Sequence, residues 1–352
     1  MENKINFGID LGTTNSVICK FVKGSVEVFK NPNGFRETLP SVVGFRKERI
    51  LVGDAARTYA ERDSKSVIHS FKRKMGTSET FPIKSLDQIK TPVELSAYVL
   101  KELKTFVHSG ESVSEVVITI PASFDIVQSN ATKEAGLQAG FRQVELLQEP
   151  IAASLAYANK HKEAELKDGQ WLVYDLGGGT FDAALIKIKN GELKVIDHEG
   201  NNYLGGADFD DLIVEKIIVP HLQKEIDRKI DFNHDLRSAS GIFNQLYLTL
   251  LHRAEDAKVT LSNKTSAEIE FNFRFQDNFT FKDYDEEILL TVTRSEFENL
   301  IKDSIDETAQ MIKSILTRNS LVAGDVQFIL MVGGSTYIPY VRKRIEELLE
   351  IA

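Results

Sequence analysis

Residues 173–182 read VYDLGGGTFD, and residues 7–16 read FGIDLGTTNS. Each is an apolar run that ends in Asp-Leu-Gly and then passes through a turn of small residues containing threonine. A hairpin needs as few as two turn-permissive residues, and every glycine loses backbone entropy on folding. The run Gly177-Gly178-Gly179-Thr180 therefore serves something besides chain reversal. Successive amides in a tight turn form a concavity that suits anions, and threonine hydroxyls add donors. Gly12 with Thr13, Thr14 and Asn15 offers one such cradle, and Gly177 to Thr180 the other. Asp10 and Asp175 stand at the strand ends beside them, where a carboxylate would repel a phosphate unless a cation lay between. Mg²⁺ suits that place, because it keeps several waters and needs only one or two carboxylates plus phosphate oxygens. One Asp-Leu-Gly turn alone could equally be an ordinary connection. The pair, followed by a third glycine turn at Val332-Gly333-Gly334-Ser335-Thr336, predicts a clamp for a Mg²⁺–polyphosphate, and a nucleotide above all. No GxxxxGK[ST] occurs, and no GxGxxG opens a helix after a strand, which excludes a P-loop enzyme and a simple dinucleotide-binding fold.

Around these turns the chain alternates strand-like and helix-like stretches, the pattern of an α/β protein. Strand candidates include INFGID, SVICKFV, EVVITIP (115–121), WLVYDL (171–176), FDAALIKI (181–188) and VQFILMVG (326–333). Thr91-Pro92-Val93-Glu94 supplies an N-cap, a first-turn proline and a capping-box glutamate, predicting a helix to about residue 107. Further helices are expected near 127–139, 150–160, 208–224, 238–261, 295–318 and 337–350, and a small antiparallel sheet over 265–292. One Asp-Leu-Gly element opens each half. The expected architecture is thus a duplicated α/β lobe with the ligand in the cleft between copies. Lobe I is 1–168 (core 1–38 and 92–168, appendage 39–91); lobe II is 169–352 (core 169–207 and 296–352, appendage 208–295).

The 352 residues allow two domains, with 42% hydrophobic and 27% charged residues, ordinary for a globular chain. A formal charge of −9 argues against a general nucleic-acid or anionic-membrane binder, though not against a small polyanion held by amides and a metal. Cys19 is the single cysteine, so no intrachain disulfide exists. MENKINFGID carries no cationic-then-apolar leader, and no apolar run approaches a membrane span of ~20 residues. The expected location is cytoplasmic.

The ordered series FGIDLGTTNS, FKRKMG (71–76), VVITIPASF (116–124), LLQEPIAASLAY (146–157), YDLGGGTFD, LGGADFD (204–210) and VGGSTYIP (332–339) resembles the ATPase domain of DnaK chaperones. These are the seventy-kilodalton heat-shock proteins, within the actin and sugar-kinase superfamily. The resemblance implies a two-lobed actin-like fold of duplicated ribonuclease-H-like domains, in which ATP hydrolysis to ADP drives a peptide-binding cycle. By motif, Asp10, Gly12, Thr13, Thr14 and Asn15 would hold phosphates and metal from lobe I, and Gly177, Gly178, Gly179 and Thr180 from lobe II. Asp175 and Asp182 would lie near Mg²⁺, with K⁺ a second candidate cation. Lys72 matches the catalytic lysine and Glu149 the glutamate near the attacking water; Asp10, Asp175 and Thr180 complete the catalytic set. Glu255, Lys258 and Ser262 match the ribose and adenine contacts. Gly205 and Gly206 would let backbone approach the phosphates, and Gly333, Gly334, Ser335 and Tyr337 would flank the nucleoside. Outside the resemblance, Lys72 would be a solvated charge in a basic run, Glu149 a first-turn helix residue, and 255, 258 and 262 a solvated helix face.

The series also departs from the family. Tyr337 stands where members commonly carry arginine, Ala207 where LGGEDFD has glutamate, and the loop PAYFND-x-QR reads PASFDIVQS, altered at Ser123, Asp125, Ile126 and Ser129. The implied partners are ATP, unfolded peptide clients, a J-domain co-chaperone and a nucleotide-exchange factor, with no nucleic acid and no membrane. The family's R-I-I-N-E-P, on the face where a J-domain docks, reads Glu145-Leu146-Leu147-Gln148-Glu149-Pro150 here. That reversal of charge predicts a dedicated J-domain or none. Family ATPase domains continue into a returning helix, an apolar linker and a β-rich peptide-binding domain, so a chain ending in EELLEIA is expected to be partial. The lobes would then be joined mainly near residues 160–170. A filament-forming actin-like protein and a small-molecule kinase of the same superfamily are the competing readings. Nucleotide-dependent sedimentation and a phosphate-acceptor screen separate them.

Overall fold

The computed structural model describes residues 5–349 apart from 61, 84–85, 109–110, 161–167, 227, 239–240 and 278–281. The expected junction near 160–170 falls largely outside the described residues.

Each Asp-Leu-Gly strand sits inside its own sheet, and the two sheets repeat one arrangement. Strand Phe7–Asp10 pairs antiparallel with Asn15–Val22 across the turn, and parallel with Glu115–Ile120 on its other side. Strand Gly169–Leu176 pairs antiparallel with Phe181–Lys189 and parallel with Ile329–Val332. In register, Asp10 faces Val17 and Asp175 faces Asp182, so each turn opens at the same point of its hairpin. The first sheet has six strands, adding Gln143–Gln148, Ser25–Val28 and the short Leu39–Pro40; the second has four, with Glu192–Asn201 at its edge. The parallel pairs require long crossovers, which the helices provide. Helix Pro92–Lys104 starts at the expected capping box: Thr91 accepts from the Glu94 amide and Glu94 reaches back to the Thr91 amide.

Hydrophobic burial divides between the two sheets. One core gathers Ile9, Ile18, Leu100, Phe106, Ile118 and Val144; the other gathers Trp171, Tyr174, Phe181, Phe209, Phe297 and Ile312. Helix Glu149–Lys160 packs on the second core through Ile151 and Ala153, and Trp171 Nε1 donates to Ser154 Oγ at 3.1 Å. A third, smaller apolar cluster joins Val42, Ala56, Ala60 and Val67 to Leu248, and so ties together segments far apart in the chain.

Three expectations need correction. Strands Gln143–Gln148 and Glu192–Asn201 lie outside the expected set. Their QVELLQ and ELKVIDHEGN carry too few β-branched residues to signal an edge strand by composition. The helix expected over 238–261 runs Asn244–Asn263, after a π-helical turn at Phe232–Arg237. The helix expected over 208–224 is interrupted at Val214–Ile218 by a second π-helical turn, just before Pro220, which cannot donate a helical hydrogen bond.

Candidate active site

The two turns meet across a cleft of about 620 Å³, within the range of small-ligand sites. Their approach is close. A Cβ on Gly178 would lie 2.2 Å from Thr14 Oγ1, and one on Gly179 2.3 Å from Thr13 Cγ2. These two glycines are needed because the first turn's threonines occupy the space a side chain would fill. Gly12 is needed for a different reason, since its Cβ would fall 2.1 Å from Asn15 O within the turn itself.

Hydrogen bonds fix each cradle from behind. Gly12 N donates to Ser16 Oγ at 3.1 Å, Ser41 Oγ donates to Gly12 O at 2.7 Å, and the two serine hydroxyls are 2.9 Å apart. In the second turn Gly177 N donates to Thr180 O at 3.0 Å, and Ser335 Oγ donates to Gly177 O at 2.9 Å. The first glycine amide of each turn thus closes the turn, and the donors available to a ligand begin with the next residue. Gly205 presses on the backbone of Gly178 and Gly179, where its Cβ would lie 2.7 Å from Gly179 N. It supports the cradle from outside the cleft lining.

Between the cradles Lys72 Nζ donates to Glu149 Oε1 at 3.2 Å. Lys72 lies on the short Phe71–Lys74 turn and is buried, at 6% exposure. Burial raises the Glu149 pKa, Lys72 pulls it back, and Asp10 adds to the rise. Asp175 is pushed well above the usual carboxylate range by burial and by Glu149, Asp10 and Asp182. Asp182 is buried behind the cleft, and neither of its oxygens nor the facing Ser123 Oγ has a hydrogen bond of ordinary geometry. Burial and Glu149 push its carboxyl up to about 7, against a loose opposing contact from Ser123. Four carboxylates crowd one lysine here, and the orphaned oxygens of Asp182 call for a cation. The residues fit a hard metal ion held partly by water and phosphate. Among the described residues no three His, Cys, Asp or Glu side chains form a ready-made metal cage.

On the opposite side, helix Asn244–Asn263 lines the cleft with Glu255, Lys258 and Ser262. Lys258 Nζ donates to Gly206 O at 2.7 Å and to Asp210 Oδ2 at 2.8 Å, so it secures the turn at Gly206. Ser262 Oγ folds back onto Lys258 O. Gly333, with φ of 88°, Gly334 and Ser335 complete this wall. Tyr337 falls outside the lining: it is 70% exposed, with the Arg342 guanidinium 5.9 Å from its ring centroid.

Four contributors escaped the sequence reading. Thr119 Oγ1 donates to Asp10 Oδ1 at 3.0 Å and so orients the first carboxylate. Arg73 Nε donates to Gly179 O at 2.8 Å, and its guanidinium pairs with Asp208. Asp210 anchors Lys258, and Arg57 pairs with Glu255 at 2.9 Å across the cleft. Arg73, Thr119 and Asp210 lie inside the quoted FKRKMG, VVITIPASF and LGGADFD; Arg57 carries no local signal.

Comparison with known proteins identifies the chain's relatives. A family model described as Hsp70 protein matches residues 6–351. The chain is 39% identical over 356 residues to the chaperone protein DnaK of Thermosipho africanus, covering 99% of this chain and 56% of that protein. It is 37% identical over 353 residues to the DnaK of Mycoplasmopsis synoviae, covering 99% and 55% respectively. The chain spans about half the length of the curated relatives it matches. With its mixed α/β fold and the whole motif series in order, the chain belongs to the Hsp70 family.

Proposed function

We propose that the cleft binds ATP with Mg²⁺ and hydrolyses the terminal phosphoryl bond, as the ATPase unit of a DnaK-type chaperone. The observation that carries this reading is the Lys72–Glu149 pair held between two interlocking glycine–threonine turns. Phosphoryl transfer depends on positioning and charge compensation more than on covalent chemistry. Amides from Thr13 to Asn15 and from Gly178 to Thr180 would fix the phosphates, and Lys72 would offset charge on the transferring group. Glu149 would orient the attacking water, since a carboxyl paired with lysine is a weak base. Asp10, Asp175 and Asp182 would hold Mg²⁺, or K⁺ beside it, which would neutralise phosphate charge when bound. Glu255, Lys258 and Ser262 would take the ribose and base, with Gly333 and Gly334 letting backbone approach beside the nucleoside.

The division into lobes 1–168 and 169–352 is part of this proposal, with helix Glu149–Lys160 packed on the second core. So are the partners: peptide clients, a J-domain protein and a nucleotide-exchange factor, in a reducing aqueous compartment that suits free Cys19. Among the described residues no helix is long and apolar enough to cross a membrane. Calorimetric titration with ADP, with and without Mg²⁺, and single-turnover phosphate release from ATP test the reading. Saturable, Mg²⁺-strengthened binding and slow release are expected; no nucleotide binding would overturn it.

A further inference from the structure

The three glycine carbonyls of the second turn are each held by a donor from elsewhere in the chain. Gly177 O accepts from Gly206 N at 3.0 Å and from Ser335 Oγ at 2.9 Å. Gly178 O accepts from Ala207 N at 2.6 Å, and Gly179 O from Arg73 Nε at 2.8 Å. In a trans peptide the C=O and the N–H of the next residue point in opposite directions. Pinning those three oxygens therefore also sets the directions of the Gly178, Gly179 and Thr180 amides. Gly178, Gly179 and Thr180 line the cleft, whereas Arg73 lines a smaller cavity of about 180 Å³ beside it.

Gly206, Ala207 and Ser335 belong, like the turn, to the second half of the chain, and two of these pins are main-chain amides at the start of helix Gly206–Ile213. Arg73 differs in both respects. It is a side chain, it comes from the first half, and it stands next to Lys72 on the Phe71–Lys74 turn. Phe71 roots that turn in the first core, and Met75 N closes it on Lys72 O at 3.0 Å. The Arg73 guanidinium is used on three sides. Nη1 and Nη2 fork onto the Asp208 carboxylate at 3.1 and 2.5 Å, and Nε is left aimed at Gly179 O. Asp208 lies in the first turn of the same helix that pins the other two carbonyls. Such a fixed fork is peculiar to arginine; the ammonium of lysine is a point charge on a flexible stem. The first cradle is pinned from its own half, where Ser41 Oγ donates to Gly12 O and Ser41 N to Thr14 O.

We propose that Arg73 is a positioning residue that turns the Thr180 amide into the cleft, so that the second cradle is complete only when the turn carrying Lys72 is seated. Lys72 and the last amide then arrive together: one turn brings the lysine to Glu149 and, through Arg73, fixes Thr180 N toward the phosphates. The effect on hydrolysis rests on the ATP-binding reading; the direction of the amide does not. Donors aimed in advance stabilise developing charge without reorganising during the reaction. Losing the pin loosens one donor instead of deleting it. The rate should fall about tenfold, short of the ~10²–10³-fold that follows outright loss of a donor.

Glycine labelled at its carbonyl carbon, combined with threonine labelled at its amide nitrogen, isolates the Gly-Thr peptides in a carbonyl-to-nitrogen correlation spectrum. The sequence has three: Gly12-Thr13, Gly76-Thr77 and Gly179-Thr180. In the ligand-free protein, Arg73→Lys keeps a charge beside Asp208 but offers Gly179 no second fixed donor. It should shift the Thr180 signal and leave Thr13 and Thr77 in place, which shows that the first cradle and the basic turn remain folded. Single-turnover hydrolysis should fall about tenfold, with adenosine affinity unchanged, because the pin acts on the phosphate side alone. Lys74→Gln removes a charge from the same turn and should alter neither readout. A Thr180 signal unmoved by Arg73→Lys, or a hydrolysis rate that this variant retains, would overturn the proposal. So would an equal loss in Lys74→Gln, which would make charge the cause and not the pinned carbonyl. An unmodified protein that binds no nucleotide, while its Thr180 signal still answers to Arg73, would sink the ATPase reading and leave the amide's orientation standing.

Discussion

At the scale of single residues, the site rests on contacts that no motif states. Lys72 is buried, with Glu149 Oε1 3.2 Å from its Nζ, a pairing across 77 residues that the basic run around it does not announce. Lys72→Ala leaves Glu149 in place, but that carboxyl is already raised by burial and can take up a proton instead of remaining a bare charge. The variant should therefore fold and bind nucleotide, while single-turnover hydrolysis falls ~10²–10³-fold, the usual cost of losing one preorganised charge. Near-normal turnover would remove Lys72 from the mechanism. The glycines of the second turn were legible as a cradle, but their actual constraint was not. Thr13 and Thr14 touch Gly179 and Gly178 across some 165 residues of chain, and nothing local encodes a contact of that separation. Tyr337 shows the reverse: motif alignment puts it beside the nucleoside, whereas its ring turns outward over Arg342.

At the scale of elements, strong periodic patterns and caps were readable, and edges were not. The Thr91–Glu94 capping box appeared in the sequence and in the structure alike, because both of its hydrogen bonds are local. Strand Gln143–Gln148 was invisible by composition, since it is held in place by six residues of parallel pairing to Glu115–Ile120. That strand is also the outer edge of its sheet, and Glu145 is exposed on it, accepting from Gln143 Nε2 at 3.1 Å. A carboxylate displayed there would meet an acidic partner with repulsion, and like charges at an interface can cost several kcal/mol. In the full-length protein, a housekeeping J-domain is therefore expected to leave ATP turnover nearly unchanged, and Glu145→Arg to restore stimulation. Strong stimulation of the unmodified protein would sink the idea. The π-helical turns at Val214–Ile218 and Phe232–Arg237 lay beyond sequence reading, because one extra residue in a helical turn leaves the apolar period almost intact.

At the scale of the whole molecule, the duplicated plan was the most legible feature, because it is written twice in the same letters. The closed cleft was the least legible, since it depends on side chains near residues 42–67 meeting Leu248 and Glu255 from far along the chain. The small cluster of Val42, Ala56, Ala60 and Val67 on Leu248 has a thermal consequence. Contact between aliphatic groups near room temperature is driven by entropy and weakens on cooling. The Arg57–Glu255 pair, with both side chains 23% exposed, contributes no more than about 1 kcal/mol and cannot make up the difference. The cleft should therefore gape in the cold and draw shut on warming, with a negative heat-capacity change for closure. Nucleotide dissociation measured between ~5 and ~35 °C should show a curved temperature dependence. Leu248→Ala should straighten that curve and loosen the cleft most at the warm end, so a protein of this kind would carry its own response to heat in five aliphatic side chains.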